Sequence, residues 1–255
     1  MSSANAPVVI VTGASKGLGK AVALKLLARG ARVIGVARSK ESLEQVKEEA
    51  GPQGEFTCYV GNLTEAKVAK QVVSLALTKY QRLDGLVNNA GLLEPIRKVA
   101  DTSVDDWKRH FDVNLFAVLE LTREALPHLR ETKGRIINLS SGAATRAYQA
   151  WGAYCASKAA LNMFTQVVSS EEPDVVSVAI RPGVVKTEMQ ASIYEEGAKH
   201  MDPEEYKKFK DLRQNNALLP PEVPGAVIAN LALDAKKELS GKFLSFDDEM
   251  LSSYH

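Results

Sequence analysis

The stretch Val8-Val9-Ile10-Val11-Thr12-Gly13-Ala14-Ser15-Lys16-Gly17-Leu18-Gly19-Lys20 decides the fold of this 255-residue chain. Four apolar residues, three of them valine, read as a strand buried on both faces, as in a parallel sheet covered by helices. A glycine-rich turn follows at once, and a helix pattern runs from Leu18 to Arg29. Gly13 permits the tight turn. Gly17 and Gly19 let the backbone approach a pyrophosphate and let the helix pack on the strand. The free N–H groups of the first helical turn then face the anion. The spacing is not that of a P-loop: after Gly13 that motif needs Gly at 18 followed by Lys and Ser or Thr, whereas 18–20 read Leu-Gly-Lys. It also differs from G-x-G-x-x-G. The strand–helix junction supplies the context that a lone glycine run lacks.

Outward from this stretch the same alternation continues. Strand-like runs recur at Arg32–Val36, Phe56–Val60, Gly85–Val87, Arg135–Leu139, Val175–Ile180 and Lys242–Ser245. Helix-period segments lie at Lys40–Ala50, Ala66–Gln81, Val104–Arg130 and Gly152–Ser170. This pattern predicts βαβ units, a parallel sheet and, through right-handed crossovers, an α/β doubly wound sandwich. Gly51-Pro-Gln-Gly54 reads as a surface turn. With no repeat and no linker-like break, residues 1–255 are expected to form one domain. The rhythm fails over about 184–224, which is polar with scattered Met189, Ile193, Tyr194, Met201, Tyr206 and Phe209. That segment follows a strand end, where ligands of open α/β sheets bind, so it reads as a substrate lid, or alternatively as a surface helical pair.

Composition excludes several classes of function. Net charge is 32 − 31 = +1, with 45% hydrophobic and 25% charged residues, so the chain is globular and not disordered. The balance offers no basic stripe for nucleic acid and no draw to an anionic membrane. No segment approaches the roughly 20 apolar residues of a membrane span. Met1–Pro7 carries no basic residue before its short apolar run and is not expected to be a secretory signal. Two cysteines, Cys58 and Cys155, exclude a disulfide framework, and the four histidines show no H-x-x-x-H spacing, so no metal site is expected. A cytoplasmic setting is the default.

The end of the second strand selects the dinucleotide. An NAD site places Asp or Glu there, roughly 20 residues beyond the glycines, on the ribose hydroxyls. Here Gly35-Val36-Ala37-Arg38-Ser39 offers Arg38 and no acid, and Lys16 adds a second cation. A 2′-phosphate suits an arginine fork, so NADP(H) is expected.

The chemistry lies further on. Tyr154 and Lys158 are four apart on a predicted helix and share a face. A nearby ammonium favours the phenolate and can tune Tyr154 as a general acid for carbonyl reduction. Alone, Y-x-x-x-K is a common accident. Ser141, at the end of the fifth strand and 13 residues before Tyr154, adds a hydroxyl able to hold a developing alkoxide. Asn138-Leu-Ser-Ser-Gly142 is not the G-x-S-x-G of a serine hydrolase. Asn88-Asn89-Ala90-Gly91 reads in isolation as a turn, and Asn114 is an amide within an apolar helical stretch that needs a partner.

Together these residues resemble the short-chain dehydrogenase/reductase family. The matching elements are Thr12-Gly13-x-x-x-Gly17-x-Gly19, Asn88-Asn89-Ala90-Gly91, Asn114, Ser141, Tyr154-x-x-x-Lys158 and Arg181-Pro182-Gly183 with Thr187. The resemblance implies a Rossmann-type, seven-stranded parallel sheet. It implies Tyr154 as proton donor, Lys158 on the nicotinamide ribose, Ser141 on the substrate oxygen and Asn114 anchoring a relay water. It lines the cofactor with Gly13, Ser15, Lys16, Gly17, Leu18, Gly19, Arg38, Ser39, Asn62, Leu63, Asn89, Ala90 and Gly91. At the nicotinamide end it adds Pro182, Gly183, Val185, Thr187 and Met189. Asn62 stands where many members carry Asp, a modest departure. Ala150–Cys155, Glu171–Pro173, Pro182–Gln190 and Gly241–Asp248 are similar to the branch holding sepiapterin and benzil reductases. The aspartate that anchors a pterin in the former aligns with Ser245, which points to a ketone or diketone instead. Leu92, Tyr148, Trp151, Val184 and Met189 are candidates for an apolar substrate pocket. The resemblance further implies a homodimer or homotetramer. A hydroxysteroid or sugar-alcohol dehydrogenase and a non-catalytic dinucleotide sensor are the rival readings.

Overall fold

The structure is a computed structural model that describes residues 5–52 and 54–255. Gln53, in the turn expected at 51–54, and the first four residues of the N-terminal stretch lie outside the described residues.

Seven strands form one parallel sheet: β1 (Val8–Thr12), β2 (Arg32–Ala37), β3 (Phe56–Val60), β4 (Gly85–Asn88), β5 (Arg135–Leu139), β6 (Val176–Arg181) and β7 (Phe243–Ser245). Their order is β3-β2-β1-β4-β5-β6-β7, so the chain reverses direction across the sheet between β1 and β4. Ligands of such sheets bind outside the strands' carboxyl ends at that reversal. The strands alternate between two cores. Val9 and Val11 join Val33, Ile137 and Val178 on one face. Val8 and Ile10 join Ile34, Leu86 and Ile136 on the other. The near-continuous apolar runs seen in the sequence therefore serve two helix layers at once.

The helices are α1 (Gly17–Ala28), α2 (Lys40–Ala50), α3 (Ala66–Tyr80), α4 (Val104–Phe111), α5 (Ala117–Thr132), α6 (Gly152–Glu171), α7 (Glu188–His200), α8 (Pro203–Gln214) and α9 (Glu222–Asp234). The first core takes Val22 and Leu26 of α1 and Val227, Ile228 and Leu231 of α9. The second takes Val72 and Val73 of α3 and Leu121 and Ala125 of α5.

Two departures from the sequence pattern bear on the site. The helix expected over Val104–Arg130 is interrupted by a wide π turn at Asp112–Phe116. Such bulges tend to mark functional positions, and this one carries Asn114. The sequence reading also has no helix over 222–234. α9 buries Pro224, Gly225, Val227, Ile228, Ala229, Leu231 and Ala232, so it shows no polar face for a periodicity to reveal.

Candidate active site

The turn after β1 is built so that only glycine fits. Gly13 and Gly17 have φ of +65° and +54°, in the left-handed region. A Cβ on Gly19 would lie 2.2 Å from the Gly13 carbonyl oxygen. Thr12 fastens the cradle to β4, since its Oγ1 accepts from the Asn89 and Ala90 backbone N–H groups at 2.9 and 3.0 Å. The Asn89 amide donates to the Thr12 and Gly13 carbonyls at 2.8 and 3.3 Å. The Gly13 N–H reaches Val36 O at 2.8 Å, and Gly61 N–H reaches Ala37 O at 3.0 Å. Arg38, Ser39, Asn62 and Leu63 thus follow the adjoining strand ends beside the cradle. Ser39 caps α2 through Ser42 N–H, and Asn62 Oδ1 accepts from Thr64 N–H. Arg38 is exposed. Lys16, in contrast, is turned towards α7, where it pairs with Glu188. Thr187 lies against Gly17. Gly19→Ala is expected to cost about 1–3 kcal/mol through overpacking, which a thermal unfolding scan reads as a drop in Tm.

Beyond β4, Asn114 clamps the next loop. Its Oδ1 accepts from Leu92 N–H and its Nδ2 donates to Leu92 O, both at 2.9 Å, and Nδ2 also reaches Ser157 Oγ at 3.2 Å. The amide singled out in the sequence therefore joins the β4 loop to α6. Gly91 sits in the angle of these groups: a Cβ there would be 3.2 Å from Asn114 Oδ1 and 3.6 Å from Lys158 Nζ. Leu92 contributes backbone, whereas Leu93 and Ile96 enter the apolar cluster around Tyr154.

A polar ladder that pattern reasoning missed sets the height of α6. Asn88 donates to Asn138 at 2.8 Å, Asn138 to Thr165 at 2.9 Å, and Ser140 to Asn162 at 2.6 Å. Polar residues inside apolar strands were its only available signal, and their partners are far apart in sequence. With α6 so fixed, Tyr154 and Lys158 share one face, and both are almost wholly buried. Lys158 Nζ donates to Leu139 O at 2.7 Å and lies 5.7 Å from the Tyr154 ring centre. Ser141 lies two residues beyond β5 and caps a short turn through Ala143 N–H at 3.2 Å. Its hydroxyl faces the Tyr154 phenol.

Electrostatically the pair differs from the sequence expectation. Burial pushes Tyr154 up to about 12, with the Ser141 hydrogen bond opposing it. Burial pushes Lys158 down to about 8. Desolvation outweighs the Ser141 hydrogen bond, so the tyrosine keeps its proton at neutral pH.

Most of the expected pocket residues gather over Tyr154. Trp151 meets it edge-on at 5.8 Å, Tyr148 stacks on Trp151 at 4.8 Å, and Phe209 of α8 sits 5.3 Å from Trp151. Val184 and Met189 pack on the same cluster. Segment 184–219 leaves and returns through one stem: Leu219 N–H donates to Val184 O, and Lys186 N–H to Leu219 O, each at 2.9 Å. Val185 is buried at this stem, beside Pro182 and Gly183, the latter with φ of +78°.

The chain can now be set beside known proteins. A model of short chain dehydrogenases matches residues 7–198. The uncharacterized oxidoreductase YIR035C of Saccharomyces cerevisiae is 40% identical over 97% of this chain and 98% of its own. Its crystal structure gives a TM-score of 0.94, covering 97% of this chain and 99% of that one. Benzil reductase ((S)-benzoin forming) IRC24 of the same yeast is 37% identical over 96% of this chain and 97% of its own. The 3-ketoacyl-(acyl-carrier-protein) reductase of Brucella melitensis complexed with NADH gives a TM-score of 0.81 at 26% identity, covering 94% and 96% of the two chains. The match runs from the glycine cradle through the Tyr154 helix, and on it this chain is an oxidoreductase of the short chain dehydrogenase family with benzil reductases among its relatives.

Proposed function

We propose that this chain is an NADPH-dependent carbonyl reductase acting on a ketone or vicinal diketone. The observation that carries this reading is the convergence of Ser141, Tyr154 and Lys158 around a phenol that stays protonated. The glycine cradle, in which a Cβ on Gly19 cannot fit, suits a dinucleotide pyrophosphate, and Arg38 suits a 2′-phosphate. A bound reduced nicotinamide supplies the hydride. Ser141 donates a hydrogen bond to the carbonyl oxygen and polarises it. Tyr154 gives its proton to that oxygen as negative charge develops there. Lys158 holds the nearby ribose and offsets the phenolate left behind. Asn114, anchored on Leu92, positions a water able to return a proton.

The names of the benzil-reductase relatives support a diketone substrate. Against a pterin, Ser245 is engaged by Arg181 and Asp247. We further assign α7 and α8 as a lid that opens to admit the ketone, on one domain spanning the chain. Phe116 of the π turn, Leu119 of α5 and Met163 and Val167 of α6 are exposed apolar residues suited to a second copy, as in a homodimer or homotetramer. No described helix is long and apolar enough to cross a membrane. The free thiols Cys58 and Cys155 suit a cytoplasmic setting.

The test follows NADPH oxidation by absorbance against diketones, quinones, ketoesters and sepiapterin. Diketones are expected to turn over fastest. NADPH binding without oxidation on any of these would make the chain a dinucleotide sensor. The reduction should also depend on pH in one direction. Lys158 is charged below about 8 and loses its proton as pH rises through that value. Ketone kcat/KM at saturating NADPH is therefore expected to hold on the acid side and fall on the alkaline side of about 8. A rise there would remove the ammonium from the mechanism.

A further inference from the structure

His110 closes α4 one turn before Asn114 and is only 1% exposed. Neither of its ring nitrogens has a hydrogen-bond partner of good geometry; the Glu94 backbone faces the ring without closing a full bond. Folded chains rarely leave such buried atoms unpaired, so an ordered water or a bound molecule is called for. The imidazole stands edge-on to the Tyr154 ring, with centroids 6.0 Å apart and planes at 81°. Lys158 faces it from α6, Glu94 from the loop after β4, and Arg109 from its own helix. Burial first, and then the Lys158 charge, push His110 down to about 4. It is therefore a neutral imidazole, with one N–H to give and one lone pair to accept.

We propose that His110 recognises the second oxygen of a vicinal dicarbonyl substrate, donating its N–H to that oxygen while the first oxygen engages Tyr154 and Ser141. This rests on the carbonyl-reductase reading above and deepens it. The two oxygens of a vicinal dicarbonyl sit on adjacent carbons. A second donor beside the tyrosine is what distinguishes such a molecule from a simple ketone. Trp151 Nε1 is also buried and unpartnered, but its ring is held between Tyr148 and Phe209 as a packing element. A site that loses a donor to a substrate oxygen discriminates less well against the analogue lacking that oxygen.

The experiment compares benzil with deoxybenzoin, the same two phenyl rings with one carbonyl oxygen removed. Wild type, His110→Phe, His110→Leu, His110→Gln and Trp151→Phe are assayed by NADPH oxidation, after Tm and NADPH titration show each folded. His110→Phe and His110→Leu are expected to lower kcat/KM for benzil about 10–100-fold. Deoxybenzoin should stay within about twofold, since it never used the donor. His110→Gln, which restores an N–H, should recover much of the benzil rate. Equal losses on both ketones, no loss on either, or a ratio moved only by Trp151→Phe would overturn the assignment. If only His110→Gln proves folded, a benzil-to-deoxybenzoin ratio collapsed in that variant also overturns it. Wild type that reduces neither ketone would sink the reductase reading itself, whereas wild type that reduces both with an unmoved variant ratio would sink His110 alone.

Discussion

Tyr154→Phe is expected to lower ketone turnover by about 10²–10⁴-fold, the usual contribution of a positioned general acid, while NADPH still binds. The substitution removes one oxygen and keeps the ring. That ring packs edge-on against Trp151 at 5.8 Å and against His110 at 6.0 Å, contacts that phenylalanine preserves. The buried hydroxyl faces Ser141, which caps Ala143 N–H and so keeps a partner after the change. Fold stability should consequently move little. The dinucleotide contacts proposed here are the cradle, Arg38 and Lys158, and Lys158 is held by Leu139 O independently of the phenol. Titration of NADPH by fluorescence and steady-state turnover separate the two effects. Near-normal reduction by the variant would take Tyr154 out of the chemistry. Weakened NADPH binding with turnover in proportion would make it a structural residue.

The phenol's high pKa gives this prediction a direction. A group held near 12 carries its proton at neutral pH and is ready to donate. Removing it should therefore hurt reduction at every pH at which the wild type works. Alcohol oxidation needs the deprotonated form first and is disfavoured in the unliganded chain by the same burial.

The cradle and the Tyr–Lys helix were legible because their signals are local. Gly13, Gly17 and Gly19 lie within one turn of chain, and Tyr154 and Lys158 are one helical turn apart. The parallel sheet was legible because buried strands are apolar without alternation, as in Val8–Val11. What stayed hidden depends on distant partners or on burial. The Asn88–Asn138–Thr165 ladder joins residues up to 50 apart, so each amide looked like an isolated oddity. His110 gave no sign, because a lone histidine in a charged helix reads as surface until the β4 loop is seen to cover it. The tyrosine's pKa was misjudged for the same reason: the spacing shows the lysine's charge, and only the packed site shows the loss of water. Lys16 illustrates a third limit. Its place in the turn suggests a phosphate ligand, yet its ammonium is engaged by Glu188, 172 residues away.

That pairing sharpens the last prediction, which concerns cofactor choice. Arg38→Asp is expected to lower kcat/KM for NADPH about 100-fold and to raise it for NADH, reversing or abolishing the preference. Charge-assisted bonds to a phosphate are worth about 1.5–3 kcal/mol each, roughly a factor of ten for every 1.4 kcal/mol, and an aspartate adds repulsion of like charges. The position is right for the exchange. Gly13 N–H is bonded to Val36 O, which ties the end of β2 to the cradle, and an acid at a β2 end binds ribose hydroxyls in NAD sites. Arg38 is exposed and has no acidic partner among the described residues, so its replacement breaks no internal ion pair. Lys16 is the only other cation proposed for the phosphate, and Glu188 competes for it. Glu188→Gln in the Arg38→Asp background should therefore free Lys16 and return part of the NADPH rate. Paired NADPH and NADH titrations of the three proteins decide the matter. An unchanged NADPH-to-NADH ratio in Arg38→Asp would show that this arginine does not select, and a ratio moved by Glu188→Gln alone would transfer the role to Lys16.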